Sequence, residues 1–231
     1  MANNEKLTKN DKKKGKLGTA LKLFVFILLF AFGALAGWGL DPVLGFFGVA
    51  FREVSLWVLV PSAVVSLFFV LAFHEAGHVI GGKLVGFRFM LFIVGPFKLY
   101  STERGFRLGL NKSLEMAGGL GGAYPMDSRD LTRRMTVYVA GGPVASLILA
   151  ACAVGLLFVV PPSVGTISGL VAISSLAIGI VTLIPNRSGG FVSDGARIRM
   201  LRRGPAAERW CAIAALSGAA MSGKRPRDLY R

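Results

Sequence analysis

The chain is built of long apolar blocks. Residues about 21–40, 56–80, 137–160 and 164–185 are nearly continuous runs of aliphatic, aromatic and small residues. Each reaches the roughly 20 residues that a helix needs to cross a bilayer. Hydrophobic residues make up 53% of the 231 and charged residues 17%, against roughly 25% charge in an ordinary soluble domain. The apolar positions form blocks, not one-sided stripes, so lipid is the expected solvent. The 30 glycines fit the same picture, because small residues let transmembrane helices approach closely. The expected fold is an all-α integral membrane protein with about four transmembrane helices.

Charge orients these spans. Of the 27 Lys and Arg, all but Arg52 lie before or at the very start of the first run, between the second and third, or after the fourth. Basic loops stay cytoplasmic, so both termini are expected in the cytoplasm of a multi-pass protein of the cell membrane. The compact, glycine-rich chain and this bias suggest a bacterial plasma membrane. Residues 1–20 and 200–231 read as basic tails that meet anionic lipid headgroups. The lysine-rich start also resembles a signal peptide, but the apolar run exceeds the usual h-region of about 7–15 residues, so a retained helix is expected. Trp38 and Trp57 sit near span ends, where aromatic residues anchor at the interface. The net charge of +15 does not imply nucleic acid, which would need a basic module with aromatic or groove-reading elements. Cys152 and Cys211 have no metal-site spacing and read as small filler residues.

The chain's two histidines fall in one motif, His74-Glu75-Ala76-Gly77-His78, in the last turns of the second span. Residues four apart share a helix face, so both imidazoles can reach one metal ion. The spacing HExxH pairs two such ligands with a Glu placed to act as a general base on water. Ionisable groups are costly in a membrane helix and are rarely idle there. A catalytic zinc takes three protein ligands and leaves one position open. The third must be a carboxylate or a cysteine, and Asp194 is the foremost candidate. It follows the fourth span, where Pro185 ends the helix and Gly189, Gly190 and Gly195 let the chain fold back. Asp194 also reads as an N-cap for a helix over 195–203, a role that does not exclude ligation. One zinc ion is the expected cofactor.

Between the second and third spans, residues 87–110 read as a small membrane-associated β-element. Apolar alternation marks three short strands, and Gly95-Pro96 marks a turn. The glycine-rich stretch 117–122 reads as a flexible loop. Such irregular backbone is tolerated in a membrane only when buried in protein or facing water.

HEAGH in a span, with a Pro…Asp-Gly element after a later span, resembles the site-2 protease family of intramembrane zinc metalloproteases. Ala140-Gly141-Gly142-Pro143-Val144-Ala145-Ser146 resembles the Gly-Pro motif of that family's third core helix. The resemblance covers about residues 56–199, within a membrane-embedded domain expected over 21–199, and implies a three-helix catalytic core. It implies zinc bound by His74, His78 and Asp194, with Glu75 catalytic. It also implies cleavage of a membrane-protein or membrane-associated peptide substrate, held extended against the β-element. Ser146 stands where the family has a polar Asn. Ser146 and Asn186 are the candidates for substrate contact, although Asn186 equally reads as a helix-ending turn. The stretch 185–194 is longer than the family's element, and Ser193 replaces its usual Leu. A PDZ-like insertion is not expected, since no connection is long enough. The alternative is a non-catalytic membrane protein that binds a peptide or partner with a structural zinc; the intact Glu75 argues against it.

Overall fold

The computed structural model of the protein describes residue 45 and residues 54–102, 104–112, 118–188, 191–202 and 204–222. The first apolar run, the basic N-terminal tail, Trp38 and residues 223–231 lie outside the described residues.

Among the described residues, three helices are long and apolar enough to cross a membrane. They are α1 (Leu56–Leu84), α2 (Leu131–Leu156) and α3 (Pro162–Leu183). Their outward faces carry exposed Val58, Val65, Ile148 and Ile180, as expected where lipid is the solvent. α2 stands between the other two and packs against both.

The α1–α2 crossing depends on small residues. A Cβ added at Gly77 would collide with the backbone of Gly141 and with Ala145, and one at Gly81 with the carbonyl of Val137. Without a hydrophobic drive between helices in lipid, such backbone proximity supplies the attraction. Gly77→Ala forces the crossing apart, and overpacking of this kind costs about 1–3 kcal/mol. A lower melting temperature in detergent, accompanied by weaker metal retention, is the expected result. Unchanged stability would mean that the helices do not cross there.

α2 begins at Leu131, ahead of its apolar run. Arg134 explains the early start. Its Nε donates to the Val85 carbonyl at the end of α1 (2.8 Å), and its Nη1 donates to Asp127 (2.6 Å). The guanidinium also lies over the Phe87 ring. An arginine that hydropathy places outside the span therefore ties the start of α2 to the end of α1.

The connection between them is an antiparallel sheet: β1 (Arg88–Val94), β2 (Phe97–Thr102), β3 (Gly105–Leu110) and β4 (Leu120–Tyr124), in the order β3-β2-β1-β4. Gly95 turns between β1 and β2 with φ of 55°, a left-handed conformation that glycine adopts freely. The first three strands occupy the expected β-element. The fourth does not follow from the sequence, where 117–122 reads as a loop. It forms because its glycines fit against α1: a Cβ at Gly121 would strike the Glu75 backbone. β4 is an edge strand lying on the helix that carries HEAGH.

After α3 the chain makes a small hairpin, β5 (Arg187–Ser188) with β6 (Phe191–Val192), and enters α4 (Asp194–Leu201). Residues 204–222, read from sequence as tail, form α5 (Gly204–Ser222). Its Cys211 and Ala215 are buried with Phe87, Leu131, Met135, Val139 and Leu201. The small faces of Cys211 and Ala215, four apart, let α5 lie close on the start of α2.

Candidate metal centre

α1 places His74 and His78 on one face, one turn apart, with ring centroids 4.9 Å apart. Both are buried. Asp194 comes from the opposite direction, from the first turn of α4. Its Oδ2 is 3.3 Å from His74 Nε2 and 3.5 Å from His78 Nε2. The three candidate ligand atoms lie within 4.8 Å of one another. The site sits toward the end of the bundle where α1 and α3 finish and α2 begins.

Ser193 brings Asp194 there. Its hydroxyl donates to the Ile184 carbonyl (2.7 Å) and accepts from the Asn186 N–H (2.9 Å) and the Ala196 N–H (3.3 Å). Ser193 is thus both the clasp of the turn after α3 and the N-cap of α4. Asp194 is thereby left free to face the histidines. Gly195 is needed because a Cβ there would strike the carbonyl of Leu183.

The other ring nitrogen of each histidine is also engaged. His78 Nδ1 is 3.1 Å from the carbonyl oxygen of Tyr138. A carbonyl can only accept, so Nδ1 carries the proton and Nε2 presents a lone pair in the neutral ring. His74 Nδ1 is 2.9 Å from Ser146 Oγ. The neutral His78 ring therefore turns a lone pair toward Asp194, whose oxygens can only accept, and a cation between them satisfies both. Gly142 leaves room: a Cβ there would fall on His78 and His74 Nε2. Two imidazoles and one carboxylate, each ring oriented from behind, suit a metal ion with an open coordination position.

Burial pushes the Asp194 carboxyl up, but the two imidazoles facing it outweigh burial and hold it well below the usual carboxylate range. Its second oxygen, Oδ1, lies 3.8 Å from Arg197 Nη1, one turn along α4. Asp194 is therefore an anion ready to bind a cation.

Glu75, between the two histidines, accepts the N–H of Gly121 on β4 through Oε2. Gly119, with φ of 114°, also lies against this carboxylate.

Ser146 is fully buried behind His74, and its own carbonyl accepts the Ser175 hydroxyl of α3 at 2.8 Å. It is placed to orient the His74 ring. A partner that orients a metal-binding ring in this way changes metal affinity by about 10–100-fold. Ser146→Ala is expected to weaken metal binding by about that factor in a competition titration; an unchanged affinity would remove Ser146 from the support of His74. Asn186 uses its main chain to hold Ser193, N–H to Oγ and carbonyl to N–H, and its side chain is exposed. Tyr138, Gly121 and Arg197 were not singled out by the sequence. The signal for Tyr138 was its place one turn before Gly142 on α2, and for Arg197 its i+3 spacing from Asp194.

No family model, characterised protein or solved structure matches this chain.

Proposed function

We propose that this chain is an intramembrane zinc metalloprotease. In this reading it has four transmembrane helices, a catalytic core of α1, α2 and α3, and both termini in the cytoplasm of a bacterial cell. It hydrolyses a peptide bond in or beside a transmembrane segment of another membrane-bound protein or peptide. The observation that carries the reading is the buried convergence of His74, His78 and Asp194 around the HEAGH helix, with Glu75 in the same motif. The donor set of two imidazoles and one carboxylate favours zinc in a catalytic setting.

Zinc, when bound, supplies Lewis acidity toward a water and a carbonyl oxygen. The protein's own groups do the rest. His74 and His78 present Nε2, their rings fixed by Ser146 and by the Tyr138 carbonyl. Asp194 adds one negative charge. Glu75 takes the proton from the attacking water and passes it to the amide nitrogen as the C–N bond breaks. Water enters from the end of the bundle that the basic residues mark as cytoplasmic. A site that bound metal only for structure would have no use for Glu75.

The test is direct. The zinc-loaded protein in liposomes is mixed with a single-span peptide interrupted by a Gly-Pro pair, which leaves the backbone open to attack. Two fragments are expected; a chelator stops their formation and zinc restores it. An intact peptide after prolonged incubation with fully loaded protein would contradict the reading.

A further inference from the structure

Tyr138 touches the site from two sides. Its main-chain carbonyl accepts His78 Nδ1–H at 3.1 Å. Its hydroxyl donates to the carbonyl of Gly121 on β4 at 2.6 Å. The N–H of the same Gly121 donates to Glu75 Oε2. In an antiparallel ladder the N–H and C=O of one residue point to the same side. Gly121 is opposite Phe92 of β1, yet both of its polar groups turn away from β1, toward the helices. The outer edge of β4 is therefore closed at this point by two side chains: Glu75 of α1 takes its donor and Tyr138 of α2 takes its acceptor.

We propose that Tyr138 is a positioning residue for Glu75: its hydroxyl fixes Gly121, and the Gly121 N–H in turn fixes the carboxylate. The proposal rests on the reading of Glu75 as the general base. Glu has several rotatable bonds, and a base must lie within hydrogen-bond reach of the proton it removes. An N–H to a carboxylate is a charge-assisted bond and a strong restraint. It restrains only if the strand that bears it is fixed. An edge strand with no outer neighbour is held on that side by what the helices supply, and at Gly121 that is the Tyr138 hydroxyl. Gly119 and Gly121 make the contact possible, because a side chain at either would strike Glu75. The two roles of Tyr138 separate cleanly. Its carbonyl orients His78 and is retained in Tyr138→Phe; its hydroxyl serves the base.

Tyr138→Phe removes the hydroxyl alone. Three readouts decide the matter: metal content, hydrogen exchange at the Gly121 amide, and kcat against KM on the single-span peptide. The expected result is full metal content, Gly121 exchange faster by about tenfold or more, and a kcat lower by about 10–100-fold, the scale of a misplaced catalytic group, with KM unchanged. A purely structural role would instead lower metal content and melting temperature together. Unchanged Gly121 exchange in Tyr138→Phe would overturn the proposal. So would wild-type exchange at Gly121 in Glu75→Ala, a variant that tests the second link without touching Tyr138. Exchange that speeds up in both variants, with no turnover by the zinc-loaded wild type, would support the linkage and sink the protease reading separately.

Discussion

Glu75→Gln keeps its metal and loses turnover by about 10²–10⁴-fold, the contribution typical of a positioned general base. The substitution is well matched to the site. A glutamine oxygen still accepts the Gly121 N–H, so β4 and the helix stay in register. Glu75 is not a member of the converging ligand group, so the binding site stays intact. What disappears is the ability to accept a proton. Metal content by emission spectroscopy and cleavage of the single-span peptide, measured on the same preparation, check both halves. Retained turnover would remove Glu75 from the role of base. Lost metal would mean that Glu75 belongs to the ligand shell.

Asp194→Ala empties the site. Asp194 is the one carboxylate among the three converging ligands, and its loss leaves only the two imidazoles. The fall in affinity should exceed the roughly 100-fold that marks the upper range for a residue that only orients a ligand. The variant is expected to fold, because Ser193 and not Asp194 caps α4 and closes the turn after α3. The loss also has a pH counterpart with a definite sign. A carboxyl held below its ordinary value of about 3.9 contributes stability above that value and loses it only as pH falls through the lower, folded value. Mild acidification therefore does not reach Asp194. Unchanged metal content in Asp194→Ala would place the third ligand elsewhere.

The parts legible in the sequence are those set by local periodicity. The three apolar runs within the described residues give helices, because lipid rewards them whatever their partners. The alternation in 87–110 and the Gly95-Pro96 turn give strands β1 to β3. The i, i+4 spacing of His74 and His78 fixes their common face. The rest depends on what arrives from elsewhere in the chain. β4 is hidden because glycines have no strand preference, and Gly121 is small in order to lie on Glu75. The early start of α2 is hidden because Arg133 and Arg134 look like loop until Arg134 reaches Val85 and Asp127. Ser146 reads as a substrate contact by analogy, yet it lies fully buried behind His74, the reverse side of the ring. α5 lacks a strong apolar run and shows itself only when Cys211 and Ala215 meet the start of α2.

The most direct measurement is the metal content of the detergent-purified protein, wild type beside His74→Ala. One zinc per chain in the wild type, absent from the variant, is the predicted result. A wild type that takes up no zinc even after reconstitution would contradict the metal centre and the protease built on it.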